Sequence, residues 1–469
     1  MVTRSLLVAA GVFIVAGCGG GSPSGPTPPP PPPPPPAAPV ATVTVTVPTG
    51  DLYPGMTVSA AAEARTSAGA TVSTSFTWGS SAPAVATVSG TGVITAVGAG
   101  TATITATSGT VNGTAQVEVK APNLDRIVDS IRLAHNMPGM AGAIVTLDEI
   151  QAGVGGFRRA GGTVRVTIDD KWHIGSNLKA QTGALAAIAV DRGDISWSAK
   201  AVDWFPEWSS EIRAEFQNVT LEDLLANRSG IRNDPGAAQY AAATAREQRE
   251  LVARYGLTNP GAVAYGNYFY SNVGFVIAGA MIERAMGGTY EALMQQHLWG
   301  PLGVNGAGWG PQALAGSQDQ PVAHRWQNNT WVACEACDNP PGLSAAGRAH
   351  MPIRDWARVI QEMMKADGGS GALISATNGR HLTTGITTIQ AGSTDLYAIG
   401  WITTTRTWAN GRTVTHSGSN TINHSVAWVG LGRGLAVIAA TNGYDTGGRT
   451  GTALDVLVSR MLNYYNNGK

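Results

Sequence analysis

The sequence is poor in charged residues, and this scarcity excludes some kinds of partner. Only 13% of its 469 residues are charged, the formal net charge is zero, and basic side chains form no stripe along the chain. A nucleic acid is therefore not expected as a partner, because binding a phosphate backbone needs a basic surface. Lysine in particular occurs only six times, and one of the six is Lys179.

Several catalytic and binding motifs are absent as well. The chain contains no G-x-S-x-G, H-E-x-x-H, P-loop or EF-hand sequence, and its 8 histidines are scattered. A nucleophile elbow of the α/β-hydrolase type, a zinc-peptidase helix and a nucleotide-phosphate loop are thus excluded. We expect neither a metal site nor a cofactor.

Cysteine occurs at three positions, and two of them lie close together in the stretch CEACDN. Cys334 and Cys337 are too few for a structural zinc site unless histidines join them, and His324 is the nearby candidate. A thioredoxin-like setting for a redox motif is missing. In an exported protein, this spacing favours a local disulfide that pins a loop.

The first 18 residues have the pattern of an export signal. Arg4 precedes an apolar run, Leu6–Val15, that is too short to span a bilayer. The run leads into VAGC, which resembles a bacterial lipobox; in that family Cys18 is diacylated and becomes the mature N-terminus. An ordinary cleaved signal peptide is the alternative. The lipobox interpretation predicts export to the bacterial cell envelope and a lipid anchor in a membrane.

Two segments with different compositions follow the signal. Residues 19–39 contain Gly, Ser and nine consecutive prolines, which is typical of a stiff polyproline II spacer. Residues 40–120 alternate apolar and small polar residues between glycine-containing breaks, which predicts an all-β sandwich. With Trp78, Gly92 before VITAV and Gly100 before TATITA, this segment resembles the bacterial Ig-like domain of group 2. Such modules are spacers or binding domains.

Residues 121–469 have the mixed pattern of an α/β domain with a helical insert. The stretch NLDRIVDSIRLA predicts an amphipathic helix that is capped by Asn123. The chemistry is expected in this part of the chain, where three short motifs occur.

The first motif is HIGSNLKA, in which Ser176 and Lys179 stand three residues apart at the predicted start of a helix. Residues three apart share a helix face, so the lysine amine can reach the serine hydroxyl. A buried lysine has a lowered pKa and can act as a neutral base. The alternative is a helix-capping serine followed by a solvated lysine.

The other two motifs are also ambiguous when each is taken alone. Tyr270, Ser271 and Asn272 precede a helix that closes at Gly287-Gly288; a packed tyrosine and a capping Asn272 would explain them without catalysis. His416-Ser417-Gly418 comes directly after RTVT, at the end of a predicted strand. Two further predicted strands, SVAWVGL and GLAVIAATN, come next in the sequence. A polar strand end with a turn would explain this motif.

Taken together, S-x-x-K, Y-x-N and H-S-G occur in the order and spacing of one family. Residues 121–469 resemble the serine β-lactamase and penicillin-binding-protein group, and most closely the class C β-lactamase-like branch. This branch also holds D-alanyl-D-alanine carboxypeptidases, D-aminopeptidases and family VIII esterases. The stretches MPGMAGAIV, PLGV and YAIGW agree with it. The resemblance implies an antiparallel sheet flanked by helices, with a helical subdomain.

The resemblance also implies a role for each motif residue. Ser176 would be the nucleophile, Lys179 its partner, and Tyr270 a proton relay, either as a phenolate or through the lysine. Asn272 would hold the amide or carbonyl of the substrate. The backbone N–H groups of Ser176 and Ser419 would form the oxyanion hole, beside Ser417 and Gly418.

Three positions depart from the family pattern. His416 stands where β-lactamases usually have a lysine; we expect it to change charge between pH 5 and 8 and to contact a substrate carboxyl or shuttle a proton. His173 replaces an aromatic residue and is expected to pack. Asn227-Arg228 replaces a common His-Thr pair, which we interpret as structural drift near the site.

These expectations define a serine hydrolase that is anchored in the cell envelope. It would cleave an ester or amide bond of a small molecule or peptide through an acyl-enzyme on Ser176. Esterase or D-peptidase activity is favoured over a dedicated β-lactamase. The competing hypothesis is a non-enzymatic cell-surface binding protein that uses the Ig-like domain and carries an inactive hydrolase domain. The sequence predicts no oligomeric state.

Overall fold

The computed structural model describes residues 39–50, 52–121, 123–233 and 235–467. The predicted signal segment, the predicted lipidation site Cys18 and nearly all of the proline-rich linker lie outside these residues. The chain divides into two compact units, with the boundary between Lys120 and Ala121. Among the described residues, no helix combines the length and the apolar character needed to cross a membrane.

The first unit is built from short strands, as its alternating sequence predicts. They pair into three antiparallel sheets with the orders β1-β3-β4, β2-β7-β6 and β5-β8-β9. Buried side chains form one cluster around Ile94 and Ile104 and another around Val43 and Ala64. The strands are β1 Thr42–Thr46, β2 Thr57–Ser59, β3 Ala61–Arg65, β4 Thr71–Val72, β5 Thr77–Ser80, β6 Ala86–Val88, β7 Val93–Ala96, β8 Gly100–Ser108 and β9 Val111–Val119.

The second unit combines helices and strands. Its helices are α1 Leu124–Ala134, α2 Leu178–Asp191, α3 Ala201–Trp204, α4 Leu221–Leu225, α5 Ala245–Thr258, α6 Asn272–Met286, α7 Tyr290–Met294, α8 Ser344–Gly347, α9 Ile353–Asp367, α10 Ala376–Thr383 and α11 Arg449–Asn466. Its strands are β10 Gly139–Thr146, β11 Ile150–Gly156, β12 Lys171–His173, β13 Gly308–Trp309, β14 Ala323–Gln327, β15 Thr330–Cys334, β16 Ala349–Pro352, β17 Thr387–Thr388, β18 Leu396–Tyr397, β19 Ile402–Arg406, β20 Gly411–Ser419, β21 His424–Gly430, β22 Leu435–Thr441 and β23 Gly443–Tyr444.

An eight-stranded antiparallel sheet organises this unit, in the order β11-β10-β22-β21-β20-β19-β18-β17. Successive side chains of a strand point to opposite faces. In β10, Ala141, Ala143 and Val145 join one core cluster, whereas Met140 and Ile144 join another. The sheet is therefore buried on both faces, which explains why its inner strands read as continuous apolar runs.

The two terminal helices of the unit cover one face of the sheet. Val128 of α1 and Met461 of α11 share a buried cluster with Met140 of β10. The predicted cap is confirmed, because Asn123 Oδ1 accepts the Arg126 N–H at 3.0 Å. The other face carries the large cluster that includes residues of α2, α6 and α9. The helical segments between α2 and α9 form the predicted insert.

Candidate active site

Ser176 lies in a tight turn between strand β12 and helix α2. The turn is a 3-10 helix, Gly175–Asn177, and α2 begins at Leu178. Gly175 has a φ of +51°, and a Cβ atom there would lie 2.4 Å from Ser419 N, so the position requires glycine. No side-chain hydrogen bond caps either helix. The interpretation of Ser176 as a capping residue is therefore wrong.

Lys179 points inward and holds the nucleophile. Its Nζ lies 3.1 Å from Ser176 Oγ, 2.7 Å from Asn272 Oδ1 and 2.7 Å from the Ala346 carbonyl oxygen. The side chain is 0% exposed, and its Nζ also lies 4.9 Å from the centroid of the Tyr270 ring. The alternative of a solvated lysine is thus wrong as well.

Burial favours the neutral amine of Lys179, and its contacts are compatible with that form. Burial holds the pKa of Lys179 well below its ordinary value of 10.5. A neutral amine has two N–H bonds, which suit the two oxygens at 2.7 Å, and one lone pair, which is left for the Ser176 hydroxyl. In this state the Ser176 O–H donates to Nζ, the geometry that a general base needs.

Tyr270 completes the contact with the nucleophile. Its hydroxyl forms a side-chain hydrogen bond with Ser176, although burial raises the pKa of Tyr270 well above 10. The phenol therefore keeps its proton at neutral pH, and the predicted phenolate form is not favoured. The base at this site is the Lys179 amine, and Tyr270 is placed to pass a proton from its hydroxyl.

Asn272 opens helix α6 but does not cap it. The cap is Ser271, whose Oγ accepts the Gly274 N–H at 3.1 Å, so the expected capping role of Asn272 is wrong. The Asn272 N–H donates to Asn233 Oδ1 at 2.6 Å, and this contact orients the side chain towards Lys179. Gly287, with a φ of +71°, ends the helix as predicted.

Asn227 supports this motif and is not a sign of drift. Its Oδ1 accepts the Ser271 N–H at 3.0 Å, and its side chain lies near the Tyr397 hydroxyl, whose pKa it lowers against the effect of burial. Asn227 therefore joins the Y-x-N segment to strand β18. Arg228, its neighbour, pairs instead with Glu222 and Asp223 in the first turn of α4.

His416 and Gly418 face the nucleophile from strand β20. Burial is the main cause that lowers the pKa of His416 to about 3, and the hydrogen bond with the Ser417 carbonyl opposes the shift. The expectation that His416 changes charge between pH 5 and 8 is therefore wrong: the ring is neutral over this range. A Cβ on Gly418 would lie 2.0 Å from the Ile174 carbonyl oxygen, so glycine lets β20 approach the turn.

Tyr397 is the partner of His416 that sequence reasoning missed. Its hydroxyl lies 3.1 Å from His416 Nε2, and its ring centroid lies 6.3 Å from that of Tyr270. The stretch YAIGW, which agrees with the family, contains this tyrosine, but no spacing rule connects it to a histidine 19 residues later. Only the pairing of β18, β19 and β20 brings them together.

The hydroxyl groups of Ser417 and Ser419 contact other residues than the nucleophile. Ser417 points to the opposite face of the sheet, where its Oγ lies 3.0 Å from His424 Nε2, because adjacent strand residues alternate. Its hydroxyl does not meet Ser176. The Ser419 Oγ accepts the Thr421 N–H at 2.8 Å, whereas the Ser419 backbone N lies against Gly175.

Asn177 fastens the nucleophile turn to the same strand. The side-chain amide nitrogen of Asn177 donates to the His416 carbonyl oxygen at 3.0 Å, and its side-chain oxygen accepts the Gly418 N–H at 3.3 Å. Both segments that would supply the predicted oxyanion-hole N–H groups are thus held by one side chain. Asn177 follows Ser176 directly, yet an asparagine at this point carries no signal in the sequence.

His173 and the disulfide lie behind the turn. Cys334 and Cys337 are joined by a disulfide, and the next residue, Asp338, reaches His173. His324 lies elsewhere, with its Nδ1 2.9 Å from the Asn442 carbonyl oxygen. Across the ranges that the structure describes, no group of three His, Cys, Asp or Glu residues could hold a metal ion.

Comparisons with known proteins agree with this geometry. Residues 124–459 match the family described as Beta-lactamase, and residues 39–119 match the bacterial Ig-like domain (group 2). Unguisins hydrolase ungD' of Aspergillus campestris is 25% identical over 242 residues, which cover 49% of this chain and 44% of that protein. Penicillin-binding protein 4 of Amycolatopsis lactamdurans is 26% identical over 184 residues, which cover 38% and 46%. The chain thus spans a little under half the length of these two relatives.

A solved structure extends the likeness to the whole second unit. The D-amino acid amidase from Ochrobactrum anthropi SV3, complexed with L-phenylalanine amide, matches with a TM-score of 0.59 and 18% identity, over 73% of this chain and 99% of that chain. At this identity the likeness concerns the fold. The predicted fold class is confirmed: an Ig-like unit followed by a unit with sheets and helices.

Proposed function

The chain belongs to the beta-lactamase family, and from this premise we propose that it is a serine hydrolase that cleaves an ester or amide bond through an acyl-enzyme on Ser176. The observation that carries the proposal is the environment of Lys179. Lys179 is fully buried beside Ser176, and burial lowers its pKa; in the neutral form its two N–H bonds reach the acceptors at 2.7 Å and its lone pair faces the Ser176 hydroxyl.

The reaction has two steps. Ser176 Oγ attacks the substrate carbonyl carbon while its proton passes to Lys179 Nζ. Negative charge develops on the carbonyl oxygen, and the backbone N–H groups of Ser176 and Ser419 donate hydrogen bonds to it. The bond to the leaving group then breaks, and the leaving group takes the proton through Lys179 and Tyr270. In the second step water attacks the acyl-enzyme ester and releases the acid, with Lys179 again as the base.

Within this class we favour an esterase or a D-peptidase. The reason is His416, which is neutral and buried where β-lactamases usually carry a lysine. The amidase fold and the relatives named hydrolase and penicillin-binding protein are consistent with this choice.

The test is covalent labelling of Ser176. Purified protein is treated with a fluorophosphonate probe and with a fluorescent penicillin, and p-nitrophenyl butyrate turnover is measured beside the labelling. We expect fluorophosphonate labelling and ester turnover in the wild type and in Ser459→Ala, which alters an exposed serine of α11, but not in Ser176→Ala. If neither reagent labels the wild type and the ester is not turned over, the enzyme proposal fails and a binding role for the Ig-like unit gains support.

We also propose that the protein is exported and lipid-anchored in the bacterial cell envelope, with the proline-rich linker and the Ig-like unit between Cys18 and the hydrolase unit. The support is the sequence pattern of residues 1–39. Expression in a bacterium should place the wild type in the membrane fraction and Cys18→Ser in the soluble fraction. Equal distribution of both proteins would contradict the anchor.

A further inference from the structure

Both ring nitrogens of His416 are occupied by partners within the protein. Nδ1 lies 2.7 Å from the Ser417 carbonyl oxygen, which can only accept, so Nδ1 carries the ring proton. Nε2 is then an acceptor, and the Tyr397 hydroxyl, 3.1 Å away, donates to it. This arrangement leaves His416 without a hydrogen-bonding group for a substrate.

The pair is also shielded from water. His416 is 4% exposed and Tyr397 is 0% exposed. Tyr270 packs against both rings, with centroid distances of 6.1 Å to His416 and 6.3 Å to Tyr397. Protonation of Nε2 would require the Tyr397 hydroxyl to turn away inside this aromatic cluster, so the neutral form of His416 is the one that the packing supports.

The groups that surround the nucleophile are neutral or negative. Hydroxyl, amide, carbonyl and aromatic groups contact Ser176, Lys179 and His416, and they come from Tyr270, Asn272, Phe275, Ala346, Asn177 and Tyr397. Behind the turn lies the buried carboxylate of Asp338, and the nearby cation Arg348 faces this carboxylate, with its Nε 3.9 Å from Asp338 Oδ2. A carboxylate that binds along β20 would lose its water and find no cation on these groups, which is costly.

We propose that this site selects substrates without a free carboxylate beside the scissile bond, that is, neutral esters and amides, because His416 is locked by Tyr397 and Ser417 and presents no positive charge. The inference rests on the proposed acyl-enzyme function and specifies, in addition, that the preferred substrates are uncharged near the scissile bond.

A matched pair of thioesters tests the inference. N-benzoylglycyl thioglycolic acid and its methyl ester share the scissile C–S bond, and the methyl ester replaces the carboxylate of the leaving group with a neutral, slightly larger group. We expect the wild type to hydrolyse the methyl ester with a kcat/KM about tenfold or more above that of the acid. His416→Lys should shrink this ratio, whereas His416→Gln, which stays neutral, should keep it.

The matched control is His297→Lys, which introduces the same charge on a partly exposed position beside Arg192 and Asp194. It should leave the ratio unchanged. Since His416→Lys could fold poorly, the wild-type ratio is measured independently of any variant.

A second measurement separates the inference from the proposed function. The fluorophosphonate reports whether Ser176 is a nucleophile at all, and each thioester is tested as a protectant against it. Stronger protection by the methyl ester supports the selection for neutral substrates even if turnover is slow. Equal or stronger protection or turnover with the acid overturns it, and so does a lack of protection by the methyl ester at millimolar concentration. Failure of the probe itself overturns the proposed function instead.

Discussion

His173 Nε2 lies 2.9 Å from Asp338 Oδ1, in a buried contact directly behind the nucleophile. The other ring nitrogen, Nδ1, accepts the Gly175 N–H at 3.1 Å. The imidazole thus connects the loop that follows the disulfide to the residue before Ser176. His173 was expected only to pack, but the structure gives it a positioning role: it holds the backbone of the turn.

Replacing His173 with phenylalanine should weaken both folding and catalysis. The variant leaves the Gly175 N–H without an acceptor and Asp338 without its neighbour, so we expect the free energy of unfolding to fall by about 3–5 kcal/mol. Labelling of Ser176 by the fluorophosphonate should also slow. Urea unfolding and labelling rates measure these effects. His297→Phe serves as control, and equal losses in both variants would contradict the positioning role.

Asp338 should make the protein sensitive to acid. Burial alone would raise the pKa of its carboxyl, but His173, Asn420 and the Asn339 N–H outweigh burial, so the pKa is lowered. A lowered pKa means that the stabilisation is complete above the unfolded-state pKa of about 3.9 and is lost as the pH falls below it. Asp338→Asn should therefore unfold with a shallower dependence on pH below about 4 than the wild type. Parallel curves in acid urea titrations would refute this.

Lys179 should leave a signature of the same sign, but in neutral to alkaline solution. The unfolded chain keeps the lysine proton up to a pH of about 10.4, whereas the folded site has released it at lower pH. The unfolded state then binds more protons, so the stability of the wild type rises with pH, with a slope of up to about 1.4 kcal/mol per pH unit.

The test compares the wild type with Lys179→Met. Between about pH 7 and about pH 9, the free energy of unfolding of the wild type should rise relative to that of Lys179→Met. Lys200→Met, which alters a lysine that donates to Asn218 at an exposed position, is the control. In kinetics, Lys179→Met should lower kcat/KM by about 10²–10⁴-fold. A variant with the pH dependence of the wild type would show that Lys179 is charged in the folded protein.

The fold and the nucleophile could be predicted because their signals are local. The apolar runs of β10 and β22, the cap at Asn123 and the spacing of Ser176 and Lys179 each depend on a few neighbouring residues. The same holds for the family motifs, which specify the order of the parts of the site.

The parts that sequence reasoning missed or misjudged depend on contacts across the fold. The charge of His416 is set by burial and by a tyrosine on another strand, and the state of Tyr270 is set by burial as well. His173 was underestimated because its partner Asp338 stands 165 positions later in the sequence. Ser417 was placed at the site although strand alternation sends its hydroxyl to His424 on the other face.

Tyr397→Phe should separate the stability of the aromatic cluster from its effect on catalysis. Without the hydroxyl, the buried Nε2 of His416 loses its donor, so we expect a loss of about 1–3 kcal/mol in the free energy of unfolding. Tyr290→Phe is the matched control, because its buried hydroxyl lies 2.7 Å from Thr182 Oγ1, outside the site. Both variants should lose similar stability. Only Tyr397→Phe should also lower kcat/KM for a neutral ester, by about 2- to 10-fold, since the His416 ring is no longer held against Tyr270. If both variants keep full activity at equal stability, Tyr397 is a packing residue and the lock on His416 has no catalytic consequence.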